Sequence, residues 1–176
     1  AIIDATIIQS AARPRKVLEA PVEGEVQESS SADTQAAWLK KGKKSHYGYR
    51  GYGVVDTEDG YVEHVELTPA NVSEMTQLQP VIEQTLVVST GIAGLLADKG
   101  FGSQANRQYL KDKGLADLMQ FRAARAKPLT DLETGINKII STLRYKVERC
   151  FGTLKRRFGL GRARYFGVMK TRAQMV

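Results

Sequence analysis

Apolar positions along the chain follow two periodicities, and the switches between them mark out the elements. Ala1 to Ile8 is apolar and β-branched on both faces, interrupted only by Asp4 and Thr6, as in a strand buried on both sides. From Gln9 to Lys44 the texture turns to Pro, Ser, Glu, Gln and Lys, including Glu28 to Ser31, which predicts a surface excursion or partly disordered insert. It ends in Trp38-Leu39 and then Lys40-Lys41-Gly42-Lys43-Lys44, a basic cluster beside an aromatic. Tyr47 to Asp56 and Tyr61 to Leu67 are strand-like, and the Asp59-Gly60 pair between them predicts a tight turn and so a hairpin. Asn71 is expected to cap a helix through about Gln84, with Glu74 as its capping-box partner.

Gly94 to Asp98 reads as a short apolar strand with a carboxylate at its end. Ser103 then opens a helix that Gly114 closes, and Leu115 to Phe121 forms a further strand. One long amphipathic helix is predicted from about Asp131 to Phe158. Ile136, Ile140, Leu143, Val147, Phe151, Leu154 and Phe158 recur at spacings of three and four, and Gly159 stops it. Three leading strands followed by alternating helices and strands give an α/β mixed sheet flanked by helices, the element order of the ribonuclease-H-like fold.

The 176 residues suit a single domain. Charge changes the picture more than size does. Lys and Arg number 26 against 19 Asp and Glu, a net charge of +7 that favours a polyanionic partner such as nucleic acid. Cys150 is the single cysteine, which excludes an internal disulfide and points to a reducing compartment. No apolar run approaches the ~20 residues of a membrane span. The start at Ala1-Ile2-Ile3-Asp4, inside a strand and without a basic leader, is expected of a fragment of a longer protein.

Three carboxylates stand out by position. Asp4 interrupts an apolar strand, where an uncompensated charge is costly, Asp98 ends a second strand, and Glu148 lies on the last long helix. At about 100° per residue, Glu148 and Lys155 fall within about 40° of Arg144, one polar line bordering the apolar stripe. Two or three carboxylates suffice to hold Mg²⁺, and neighbouring cations would grip phosphates. The residues alone equally allow Asp98 as a turn former and Glu148 as the i,i+4 partner of Arg144.

Ala1 to Ile8, Lys40 to Asp56, Leu67 to Asn71, Ala97 to Phe101 and Arg144 to Lys155 together resemble bacterial insertion-sequence transposases of the insertion-sequence-five family, with its transposase DDE domain. The family's last signature reads Tyr, two residues, Arg, three residues, Glu, six residues, Lys. Arg144, Glu148 and Lys155 fit it, while Ser141 stands at the Tyr position. The resemblance implies a ribonuclease-H-like catalytic domain over residues 1–176, with an insert at 9–44 and without the N-terminal DNA-binding region. A closing helix beyond Val176 is likewise missing from the expected pattern. It also implies Asp4, Asp98 and Glu148 as catalytic metal ligands, Mg²⁺ as cofactor with Mn²⁺ able to substitute, and DNA contacts by Arg144 and Lys155. Partners would be double-stranded DNA, both terminal inverted repeats and target, and further copies in a homo-oligomer, in the bacterial cytoplasm at the nucleoid. Alternatives are a ribonuclease-H-like nuclease without strand transfer, or an inactive DNA-binding remnant.

Lys40, Lys41, Lys43 and Lys44, with His46 beside them, are either a solvated loop or a phosphate-contacting arm. His46 and His64 are too few for a zinc site, and Cys150 is expected to be buried rather than reactive. Gly100 and Gly102 permit a tight turn after Asp98. Arg162 to Tyr165 reads as a DNA contact or a solvated tail, and no strand is followed by a dinucleotide-binding glycine motif.

Overall fold

Strand β1 (Ile2–Gln9) is the axis of the molecule, because both its edges are paired where it carries Asp4's neighbours. In the computed structural model, which describes residues 1–14, 32–125 and 127–176, it runs antiparallel to β3 (Lys44–Val55), with Asp4 opposite Gly53. On its other side it runs parallel to β5 (Gly94–Ala97), with Ile3 opposite Ala97. β6 (Ala116–Met119) extends the parallel half. The outer edge of β3 is shared: β2 (Ala37–Lys41) pairs with its first residues and β4 (Val62–Pro69) with Tyr49 to Val55. The result is the six-stranded mixed sheet of a ribonuclease-H-like α/β fold.

Pleat parity divides the core. Ile2, Ile8, Tyr49, Val55 and Leu96 face α4 (Tyr145–Arg157) and α5 (Val168–Ala173), burying Val147, Phe151 and Met175. Ile3, Tyr52, Val54, Leu95 and Ala97 face α1 (Glu74–Val88) and α2 (Gln104–Asp112), burying Leu78, Ile82 and Leu110. Each such side chain contributes about 1.5–3 kcal/mol by leaving water. Gly53 lets α4 approach the sheet, since a Cβ there would stand 3.0 Å from Phe151 Cζ.

Four elements differ from the sequence reading. The helix cap is Ser73, whose Oγ accepts from Met75 N at 3.3 Å; Asn71 is exposed, and Glu74 pairs instead with Arg50 at 3.5 Å. That helix also continues to Val88. The lysine cluster is no loop: Lys41 and Lys44 are cross-strand partners in a hairpin whose turn, Gly42-Lys43, has Gly42 at φ 60°. The insert thus ends earlier than expected, and its residues 15–31, including Glu28 to Ser31, lie outside the described residues. The expected long helix is two, α3 (Asp131–Leu143) and α4, meeting at Arg144, with Leu143 and Phe158 left exposed. The i→i−4 bonds Arg144 N to Ile140 O and Glu148 N to Arg144 O carry the backbone pairing across the junction, which falls at the residue whose side chain reaches Asp4.

Asp33 closes the base of the excursion. Its buried carboxylate accepts from Ser10 Oγ at 2.8 Å, from the Tyr49 hydroxyl and from Gly167 N at 3.2 Å, while its carbonyl accepts from Tyr47. Burial and the bond to Asp33 push the Tyr49 phenol far above its ordinary range. Among the described residues no helix is long and apolar enough to cross a membrane.

Candidate active site

Strand geometry explains why Asp4 and Asp98 share a face. Ile3 lies opposite Ala97 in a parallel pair, so the next residues of each strand, Asp4 and Asp98, are neighbours in register. Ile2 and Leu96 both bury on the α4 side, and the period of two sends Asp4 and Asp98 the same way. β5 ends at Ala97, and Phe101 N donates to Asp98 O at 3.0 Å, turning the chain away so that the strand tip opens to solvent.

Helix α4 brings the third group. Val147 and Phe151 anchor it on the sheet, which leaves Arg144, Glu148 and Lys155 along its border. A single Arg144 nitrogen lies 3.0 Å from Asp4 Oδ2 and 4.0 Å from Glu148 Oε1. Arg144 and Asp4 are largely buried, whereas the Glu148 side chain is 61% exposed and free to change rotamer. Asp4 Oδ1 also accepts from Ala5 N at 2.8 Å.

Burial raises the Asp4 carboxyl above its ordinary 3.8; Arg144 and the Ala5 N–H oppose that rise, and the negative charges of Asp98 and Glu148 reinforce it. Lys155 is lowered by desolvation first, then by Lys41, with Asp4 acting in the opposite sense. Lys41 is therefore close enough to act on Lys155, although the two are distant in sequence. Lys40 and Lys41 line a cleft of about 200 Å³ with Ala5, Thr6 and Arg50, so the hairpin curls back over β1 beyond Asp4.

The positions expected from sequence separate accordingly. Asp4, Asp98, Glu148, Arg144 and Lys155 are gathered at one end of the β1–β5 pair, with the charge of Lys41 felt at Lys155 and Lys40 in the adjoining cleft. Lys43 and Lys44 are exposed at the hairpin turn, and His46 is half-buried opposite Leu39. Cys150 is half-buried with its thiol pushed up by burial. Ser141, at the signature Tyr position, accepts from Gln120 Nε2 at 2.7 Å and so ties α3 to the end of β6.

Sequence reasoning passed over one neighbour. A cleft of about 590 Å³ opens beside Asp98, with Arg122 in its wall. Arg122, Arg125 and Lys127 follow β6 and are exposed. The signal was present in Phe121-Arg122-Ala123-Ala124-Arg125, a basic run between a strand and a helix.

Among the described residues no three His, Cys, Asp or Glu side chains stand close enough together to hold one ion. A pair of ions is a different demand. Two divalent ions about 3.5–4 Å apart, each with oxygens at about 2 Å, separate their outer ligands by up to about 8 Å. The Asp4 and Glu148 oxygens on either side of the Arg144 nitrogen lie within that reach, and the set is all oxygen, as Mg²⁺ requires. In donor chemistry, and in the reach between Asp4 and Glu148, the set is compatible with a divalent pair, with a guanidinium between those two carboxylates.

Comparison with known proteins adds the context. The family model described as the transposase DDE domain matches residues 1–176. The transposase for insertion sequence element IS1106 of Neisseria meningitidis serogroup B is 41% identical over 177 residues, which cover 99% of this chain and 60% of that protein. The chain therefore spans about three fifths of the length of that curated relative. No solved structure matches it. Since the family match runs through every residue and the relative is alike across nearly all of them, the chain belongs to the transposase DDE-domain family.

Proposed function

We propose that the chain carries the catalytic centre of a DNA transposase, which cuts at transposon ends and joins the freed ends to target DNA. The observation that supports this most is the placing of Asp4 and Asp98 on one face of adjacent parallel strands, beneath a helix that offers Glu148 and Arg144. Asp4 and Asp98 would hold the metal from the sheet and Glu148 from the helix. Mg²⁺, or Mn²⁺ in its place, supplies charge neutralisation at the phosphate and activation of the attacking oxygen.

The chain's own groups do the rest. A water oxygen attacks the phosphorus at the transposon end and displaces the 3′-oxygen, which leaves as a hydroxyl. That hydroxyl then attacks a target phosphodiester and displaces the target strand's own 3′-oxygen. Lys155 and Lys41 hold phosphate oxygens beside the centre, with Lys40, Lys43, Lys44 and His46 extending the contact along the hairpin. The partial desolvation of Lys155 strengthens each such contact. Arg144, at the border of the centre, would add a further cation for phosphate oxygens. Two inverted repeats per element call for a homo-oligomer, working in the cytoplasm at the nucleoid.

The test uses the whole protein, labelled repeat-end duplex, unlabelled target and Mn²⁺. Joined product is expected from the parent and lost in Asp98→Asn at an unchanged melting temperature. Cleavage without joining would make it a nuclease, and joining by Asp98→Asn at the parent rate would remove Asp98 from the centre.

A further inference from the structure

The connection from β6 to α3 carries three cations, Arg122, Arg125 and Lys127, and no carboxylate. All three are exposed, and among the described residues none makes a salt bridge. Isolated surface cations are ordinary; a run of them on a fixed base is less so. Here the base is fixed at both ends. Asn137 holds the Phe121 backbone twice, its Oδ1 accepting from Phe121 N at 2.8 Å and its Nδ2 donating to Phe121 O at 3.1 Å. The Arg107 guanidinium lies 5.0 Å from the Phe121 ring centre and donates to Gln120 O at 3.2 Å. At the far end Thr130 and Glu133 form a capping box on α3. Between them, Ala124 and Lys127 exchange both backbone hydrogen bonds at 3.1 Å, which makes a small hairpin with Arg125 at its turn.

We propose that this hairpin is a sequence-neutral DNA grip, in which Arg122, Arg125 and Lys127 hold phosphates of a duplex lying across the Asp98 side of the centre. The inference rests on the transposase reading and adds a contact surface to it. Position supports it first, because Arg122 lines the same cleft as Asp98. In the strand order β2-β3-β1-β5-β6 the aspartates are central; Lys41 belongs to one end and this hairpin follows the other. A polyanion crossing the centre meets cations on both sides. Sequence neutrality follows from what the cleft's amides already do. Both polar atoms of Asn137 are committed to Phe121, and Gln120 Nε2 is committed to Ser141 and to Asn137 O. The cations left to donate stand on an exposed hairpin and meet backbone phosphates first, and contacts to phosphate carry no sequence information. The fixed base lowers the ordering cost of binding.

The experiment measures anisotropy of two labelled duplexes, a transposon end and a random sequence, with the whole protein over a range of NaCl. The parent is compared with R122A/R125A/K127A and with the charge-keeping R122K/R125K/K127R. Each phosphate contact contributes about 0.9 to the slope of log K against log salt. The alanine variant is expected to lose about 2–3 from that slope on both duplexes, with an unchanged melting temperature, and the charge-keeping variant to retain it. An unchanged slope on both duplexes overturns the grip while leaving the transposase reading intact. Loss confined to the transposon end overturns its sequence neutrality. Parent protein that binds neither duplex removes both readings. Should the triple variant fail to fold, Arg125→Ala at the exposed turn is expected to lose about 0.9 alone, and an unaltered slope there overturns the grip equally.

Discussion

Replacing Arg144 by glutamine isolates the central ion pair. The Arg144 and Asp4 side chains are 10% and 17% exposed and 3.0 Å apart, so the change leaves a largely buried carboxylate without its cation. Removing one partner of a buried pair costs about 3–5 kcal/mol. Asp4 keeps the Ala5 N–H and some contact with water, which places this case near 3 kcal/mol. In a domain of this size 1 kcal/mol moves the melting temperature by about 2–4 °C, so a fall of about 6–12 °C is expected in chelator at neutral pH. The pH dependence has a definite sign. The folded pKa of Asp4 lies above the ordinary 3.8, so the folded state holds this proton more tightly than the unfolded chain does. Stability tied to Asp4 is therefore present below about 3.8 and lost as pH rises through the folded value. Loss of Arg144, which opposes the shift, raises that value further and deepens the loss. The Arg144→Gln deficit should shrink as pH falls toward 4 and should mostly disappear in Asp4→Asn/Arg144→Gln. Calorimetric melts of the four proteins complete the cycle. Equal deficits for Arg144→Gln with Asp4 and with Asn at that position would refute the pairing.

Three further outcomes are expected. Gly53→Ala sets a methyl group 3.0 Å from Phe151 Cζ, costing about 1–3 kcal/mol by overpacking; strand joining should fall further than stability alone explains, and a fully stable, fully active variant contradicts the close approach. Asp33→Ala takes the acceptor from the Tyr49 hydroxyl and leaves Ser10 Oγ with Ala12 O and Gly167 N–H with the Tyr49 oxygen, for a loss of about 1–3 kcal/mol in the free energy of unfolding by denaturant, and a loss below about 0.5 kcal/mol disproves the clasp. Burial holds His64 below its ordinary 6.5, Glu66 opposing and Arg172 assisting, and its Nε2 is buried without a partner. The unfolded chain thus takes up this proton first, and stability is lost as pH falls below about 6.5; His64→Gln should flatten urea midpoints between about pH 7 and 5.5, and an unchanged slope assigns the effect elsewhere.

Local chemistry made much of this legible. A charged residue in an apolar strand, a carboxylate at a strand tip and the Asp59-Gly60 turn are each visible within a few residues. What escaped depended on distant partners. Periodicity carries α3 straight into α4, and nothing near Arg144 announces that its guanidinium will reach Asp4 and that the helix will divide there. Ser73 and Asn71 are both good caps, and Glu74 turned to Arg50 on the neighbouring strand. Lysine content disguised a hairpin whose alternation and Gly42 turn were sound, because strand propensity depends on context. The Arg122 hairpin had no helical or strand period to draw attention to it.

The Asp33 clasp also has a consequence for how the domain can change. Ser10 and Asp33 meet at 2.8 Å, so the chain leaves and re-enters the fold at one point. Closing a longer loop adds only about 0.6 kcal/mol per doubling of length. A change in the number of residues between Ser10 and Asp33 is therefore expected to cost little, by evolution or by a designer adding a tether, as long as the Ser10–Asp33 contact keeps β1 in register.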